Sequence, residues 1–198
     1  MRKETPLIDT TSHLLPWLLS LVLLPLGMAA PVRAAERTLT LDPAASEVTF
    51  TLGATMHTVK GSFAVSEGVV RFDPATGQAS GEVVVDLTSG DTGNDKRDRD
   101  MHRKVLESDR YPRAVFTPTR VEGDVGGGEV ILHGRLELHG ASHEVAIPAR
   151  VSVQGGRVEA TGSFRVPYVD WGMEDPSTFL LRVDEHVDVT VRAVGTLE

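Results

Sequence analysis

From Glu129 to Val153 the chain alternates apolar and polar side chains. Val130, Leu132, Gly134, Leu136 and Leu138 share one parity; Glu129, Ile131, His133, Arg135, Glu137 and His139 share the other. After Gly140-Ala141-Ser142 the alternation resumes, with Val145, Ile147, Ala149, Val151 and Val153 against Glu144, Pro148 and Arg150. A period of two is the mark of a strand with one wet face and one apolar face. A short glycine-containing turn between two such runs makes an antiparallel hairpin. The apolar face of this hairpin is too long to leave bare, so the rest of the chain must cover it or close around it.

The other segments repeat the pattern. Thr38 to Leu41 reads as a lead-in before the Asp42-Pro43 turn signal. Val48, Phe50, Leu52 and Ala54 alternate with Glu47, Thr49 and Thr51, and the pattern then breaks from Met56 to Gly61. Phe63 and Val65 lead to a strand carrying Val70 and Phe72, closed by the turn Asp73-Pro74-Ala75-Thr76-Gly77. Val83, Val85 and Leu87 oppose Glu82, Val84 and Asp86. One helical signal follows: Thr92-Gly93-Asn94-Asp95 supplies capping chemistry, and Met101 and Val105 sit four apart among charged residues. Such a helix can pack only a narrow stripe, and Tyr111-Pro112 ends it. Ala114, Phe116 and Pro118 begin the next strand. Beyond the hairpin, Gly155-Gly156 turns the chain into Val158 to Val166; Tyr168 to Phe179 is irregular, and Val187 to Ala193 alternates again. Regularly spaced strands with turns between them make an all-β sandwich or barrel, of roughly eight strands here.

Arg2 and Lys3 precede an apolar run from Leu14 to Met28 that exits through small residues. That order is a secretory signal peptide, residues 1–34, with cleavage expected after Ala34, leaving a domain of residues 35–198. A membrane anchor is the competing reading, but Pro16 and Pro25 break the run short of the ~20 residues a span needs. The chain has no cysteine, which excludes disulfides, thiolate chemistry and a lipoprotein attachment site. A net charge of −8 speaks against nucleic-acid and polybasic membrane-surface roles. Without Trp17 only nine aromatics remain, and the inward positions are mostly Val, Ala and Leu. Eight strands enclose just enough room for side-chain filling or for one ligand. Small linings leave the space that larger rings would have filled, which favours an open-mouthed barrel over a solid core.

The motifs along this chain resemble those of YceI-like proteins. The resemblance is carried by Ser46-Glu47-Val48-Thr49-Phe50 with His57-Thr58-Val59-Lys60-Gly61-Ser62-Phe63, and by Asp86-Leu87-Thr88-Ser89 leading to Thr92-Gly93-Asn94 and Arg97-Asp98. Tyr111-Pro112 with Val115-Phe116-Thr117, and Gly134-Arg135-Leu136-Glu137-Leu138-His139-Gly140, extend it in order over nearly all of residues 35–198. It implies a lipocalin-like, eight-stranded antiparallel barrel with one short helix. It also implies export to the periplasm (secretion where there is no outer membrane) and binding of a long-chain isoprenoid or related apolar lipid. Transient membrane contact and a homodimer are compatible with it. No catalytic residue comes with the resemblance. Around Trp171-Gly172 the chain departs from a frequent family pattern, because Arg165 lies farther upstream of the aromatic-Gly pair.

The expected lining is Val48, Phe50, Leu52, Val70, Phe72, Val83, Val85, Phe116, Leu136, Leu138, Ile147 and Phe164. Such residues offer only apolar contact, which is what a prenyl or acyl chain requires. A polar head would sit at the mouth, for which His57, Lys60, Arg97, His143 and Trp171 are the candidates; Arg99, Arg103 and Lys104 are nearby cations interleaved with Asp95, Asp98 and Asp100. The histidines suggest no metal site: there is no HExxH, and His133 and His139, read as one strand, lie ~20 Å apart. Asp98 and His102 are spaced for acid–base work on a helix, yet no nucleophile elbow, P-loop or dinucleotide fingerprint accompanies them. The expectation is a binding protein without cofactor, metal or nucleic-acid partner. An enzyme acting on a lipid or quinone head group at the mouth is the alternative. An interaction module is a third reading, and it would require a large outer apolar patch.

Overall fold

The computed structural model describes residues 36–55 and 57–198; the expected signal segment lies outside the described residues. The strands are β1 (Arg37–Leu41), β2 (Glu47–Ala54), β3 (His57–Phe72), β4 (Ala79–Asp91), β5 (Arg113–Gly123), β6 (Glu129–Leu138), β7 (Ala141–Gln154), β8 (Arg157–Val166) and β9 (Val187–Leu197). Among the described residues one α-helix, α1 (Asp95–Asp100), runs on into a π-helical turn at Met101–Val105. Among the described residues no helix is long and apolar enough to cross a membrane.

Every pairing is antiparallel, and the strands follow one another as β3-β2-β9-β8-β7-β6-β5-β4, with β4 returning to β3. The ring therefore closes on itself, leaving no edge. β1 pairs with β3 and β9 beyond the end of β2, so the Thr38–Leu41 segment is a strand rather than a lead-in. β1 and β2 together form one position of the ring, joined by a 3-10 turn at Pro43–Ala45. Asp42 caps that turn by accepting from the Ala44 N–H at 3.0 Å. Ser46 then ties it to β9, donating to the Val194 carbonyl and accepting from the Val194 N–H. The result is an eight-stranded closed antiparallel barrel with one short helix: of the sandwich and the barrel that the alternation allowed, it is the one the small lining favoured and the resemblance implied.

Two local features differ from the reading by parity. The break at Met56–Gly61 does not delay β3, which starts at His57 and runs to Phe72. Its ladder to β4 shifts between Val65 and Glu67. The extra residue reverses which parity faces inward, so Val59, Phe63 and Val65 precede the shift and Val70 and Phe72 follow it. The turn between β6 and β7 falls on His139-Gly140, not on Gly140-Ala141-Ser142. Both residues have positive φ, 53° and 77°, as a two-residue hairpin turn demands. His139 thereby leaves the strand face and packs its ring against Tyr111, with centroids 4.6 Å apart.

Strand direction sorts the connections onto two ends. One end carries short turns at 73–78 and 124–128 and at Gly155-Gly156. The other carries the β2–β3 turn, the helical connection 92–112, the His139-Gly140 turn and the long loop 167–186. A buried cluster of Leu87, Ala114, Leu136, Leu138, Val166, Tyr168 and Met173 underlies this second end.

Candidate functional site

The interior of the barrel is a cavity of about 840 Å³, near the upper end for a small-molecule site. Val48, Phe50, Leu52, Val70, Val83, Val85, Phe116, Leu136, Leu138, Ile147 and Phe164 line it. Phe72 does not; it is buried at the far end of β3. Leu52, Val83, Val85, Phe116 and Phe164 face inward yet are only half-buried, because the side they present is the wall of an open space. Further lining comes from Leu39, Leu41, Val59, Phe63, Leu132 and Val187 to Ala193 on the inward parity. The alternation of β9 was visible in the sequence, so those positions could have been named from it. Pro176, Leu181 and Val183 of the long loop also line the cavity, and no periodicity marks them.

The aromatic rings lie against the wall. A Cβ on Gly61 would fall 2.6 Å from the Phe50 ring, and one on Gly134 would fall 2.7 Å from the Phe116 ring. Each glycine is a seat that lets a ring lie back along the sheet instead of crossing the lumen. Phe63 completes the Phe50 side, with ring centroids 5.4 Å apart.

Polar groups gather at the mouth. One face of the helical connection supplies Lys96, Arg97, Asp100, Met101, Lys104 and Val105; the opposite rim is Glu174 to Thr178, with His57 beside it. Arg97 is already engaged: its Nε donates to Thr92 Oγ1 at 2.7 Å and its Nη2 to the Thr92 carbonyl at 2.8 Å. Asp98 accepts from the Thr92 N–H and hydroxyl, and Asn94 caps the helix by accepting from the Arg97 N–H. Lys104 sits 2.9 Å from Asp100 and holds that carboxyl below the usual carboxylate range. Lys96 makes no hydrogen bond or close ion pair with the described residues, which leaves it the most available cation of the rim.

Lys60 is exposed on the outward parity of β3, away from the cavity lining. His143 stacks on Trp171 with centroids 3.8 Å apart and planes 3° from parallel. Neither lines the cavity; the stack joins the long loop to β7. Asp98 and His102 do not pair with each other. His102 Nε2 lies 3.0 Å from the Gly90 carbonyl, so it carries the proton, and Nδ1 lies 2.9 Å from Ser108 Oγ. These bonds fasten the π-helical turn onto β4.

The long loop is anchored at its root. Tyr168 is 4% exposed and its hydroxyl donates to the Asp184 carbonyl at 2.8 Å. Burial, reinforced by Asp175, Asp184 and Glu185, pushes this phenol up to about 12. Unfolded, it would ionise near its ordinary value of 10. Its contribution to stability is therefore whole below pH 10 and lost as pH climbs from about 10 to about 12. A tyrosinate absorbance titration of wild type and Tyr168→Phe is expected to assign the late-titrating phenol to Tyr168. The alkaline stability loss in that window should shrink in the variant.

This geometry defines an antiparallel barrel closed around an apolar tube. The sequence matches the YceI-like domain over residues 39–195, and the chain belongs to that family. A UPF0312 protein of Vibrio cholerae is 28% identical over 145 residues, covering 69% of this chain and 74% of that protein. Protein YceI of Shigella flexneri is 33% identical over 99 residues, covering 48% and 50%. Among solved structures, Burkholderia cenocepacia BcnA superposes with a TM-score of 0.66 at 21% identity, over 79% of this chain and 99% of that one. A polyisoprenoid binding domain from Saccharophagus degradans, implicated in plant cell wall breakdown, gives 0.64 at 19% identity, over 81% and 98%.

The motifs that carried the resemblance mostly build the mouth. Thr92, Asn94, Arg97 and Asp98 knot the start of the helix. Asp86 accepts from the Thr88 N–H and hydroxyl, while Ser89 bridges the Asp86 carbonyl and the Ala64 N–H. Tyr111 packs on Gly140, where a Cβ would fall 2.7 Å from its ring. His139 Nε2 lies 3.2 Å from Glu107 Oε1, joining the β6–β7 turn to the helix exit.

Proposed function

We propose that the barrel binds a long-chain isoprenoid or related amphiphilic lipid, with its tail in the lumen and its polar head at the mouth. The observation that carries this reading is an open interior of about 840 Å³ walled by aliphatic side chains and phenylalanines, with polar groups confined to one rim. Each methylene moved from water into such a wall gains ~0.8 kcal/mol. It gains a similar amount in a bilayer, so exchange between the two is close to neutral, as a carrier requires. The likeness to a polyisoprenoid binding domain supports an apolar chain as the cargo. The expected export signal makes the periplasm the place where such a carrier would work.

Binding accounts for the site better than chemistry on the head group. His102 is tied to Ser108 and Gly90, and His143 to Trp171, while His57 lies on the rim. Among the described residues the histidines lying against a carboxylate are His133 and His139, and neither lines the cavity. Native purification followed by solvent extraction and mass spectrometry tests the proposal. A long-chain apolar lipid near one per barrel is expected. Protein that carries none, and that takes up no fluorescent acyl or prenyl probe, would overturn it.

A further inference from the structure

Phe179 and Leu180 are 98% and 85% exposed, while the other large apolar side chain exposed among the described residues, Ile131, reaches 40%. Single exposed apolar residues are ordinary on a protein surface. These two are adjacent, and the backbone that displays them is built. They are the central residues of a tight turn in which the Thr178 N–H donates to the Leu181 carbonyl at 2.7 Å and the Leu181 N–H to Thr178 Oγ1 at 3.1 Å. The turn tips an arm hung on the β2–β3 connection. The Thr55 N–H donates to the Arg182 carbonyl at 2.8 Å, and the Arg182 N–H to Thr55 Oγ1 at 3.1 Å. Val183 bridges to Ala54, and the Asp184 N–H donates to the Gly53 carbonyl at 2.9 Å.

The arm joins the outside to the lumen. Leu181 and Val183, next along the chain, line the cavity. An apolar track thus runs from the exposed pair over the rim into the tube. On the facing rim, Lys96 and Lys104 lie on the mouth-side face of the helical connection. Lys104 is held by Asp100, so Lys96 is the available ammonium there. An apolar tip on one rim and a free ammonium on the other, both at the opening of an apolar tube, fit the interfacial layer of a bilayer, where hydrocarbon lies just beneath phosphate. A second copy of this chain is the competing occupant, and the oligomeric state measured below separates it from a bilayer.

We propose that the Phe179-Leu180 turn is a membrane-docking element that seats the barrel mouth on a bilayer and lets lipid pass along Leu181 and Val183 without crossing water. The inference rests on the lumen-binding reading above for its purpose, but its test stands apart. The chain from residue 35 is floated with vesicles of phosphatidylethanolamine and phosphatidylglycerol, as wild type, as Phe179→Ser/Leu180→Ser and as Lys96→Gln/Lys104→Gln. Thermal midpoint, co-purified lipid and delivery of a pyrene-labelled acyl lipid to the vesicles are measured on the same preparations. The serine pair is expected to lower vesicle binding and delivery at least about tenfold, with midpoint and co-purified lipid unchanged. The glutamine pair should weaken binding severalfold, and only on vesicles containing phosphatidylglycerol. Flotation that depends on the tip in a protein carrying no lipid would sink the cargo reading and leave docking standing. Equal binding by wild type and the serine pair would overturn docking. So would a lipid-carrying wild type that never floats, or a wild-type dimer that the serine pair turns into a monomer.

Discussion

Ala160→Trp is expected to empty the barrel without unfolding it. Ala160 lies on β8 opposite Ala193 of β9; both line the cavity, and Ala160 is only half-buried because it looks into open space. An indole placed there enters the lumen with no wall to displace. It would cover on the order of 200 Å² of apolar surface, which at ~25 cal/mol per Å² is an upper limit of about 5 kcal/mol of contact denied to the lipid. At least a tenfold loss of co-purified lipid is expected, read by mass spectrometry of matched preparations. The midpoint of lipid-free protein should hold or rise, since the new side chain buries itself against existing walls. A filled core would respond in the opposite sense. Overpacking costs 1–3 kcal/mol, and a domain of this size loses about 2–4 °C per kcal/mol. A midpoint lowered by several degrees, or a full lipid load beside the indole, would therefore refute the hollow interior as the binding place.

The barrel was legible because a closed sheet imposes the same constraint on every strand: one face toward the axis and one toward water. Val130 to Leu138 and Val145 to Val153 obey it without interruption, and so does the lining drawn from them. Legibility failed where one residue alters the bookkeeping of parity. The extra residue near Ser66 splits one long strand into two apparent pieces. The positive φ of His139 moves a turn and takes a histidine off the wet face. Val84 shows the same limit from another direction: it stands on the outward parity of β4 yet is 1% exposed. The mouth was harder still. Arg97 stood among the head-group candidates because sequence spacing cannot show that its guanidinium is spent on Thr92. The stack of His143 on Trp171 joins residues far apart in the chain, so no local signal announces it. The Phe179-Leu180 tip has no periodicity to be read, and its meaning comes only from where the arm ends.

Gly134→Val should be strongly destabilising although it leaves charge untouched. Gly134 pairs with Pro118 of β5, beside the place where that ladder shifts between Pro118 and Arg120. A Cβ there would fall 2.5 Å from the Thr117 carbonyl oxygen and 2.7 Å from the Phe116 ring. The oxygen belongs to the backbone and can yield only if β5 moves off β6; the ring can yield only by swinging into the lumen. Overpacking alone costs 1–3 kcal/mol, and the backbone contact places this site at or above the upper end, about 3 kcal/mol. Urea unfolding of lipid-free protein is expected to show that loss, with the slope unchanged. Gly93→Ala separates this effect from glycine's backbone freedom. Gly93 has φ 73° and open space where its Cβ would go, so its replacement should cost only the ~1–2 kcal/mol of a left-handed alanine. Adding Phe116→Ala to Gly134→Ala then divides the two collisions: rescue assigns the cost to the ring, and no rescue assigns it to the Thr117 carbonyl. A Gly134→Val protein as stable as wild type would show that the wall has slack at this contact. The flat seating of Phe116, which keeps the tube open, would then need another cause.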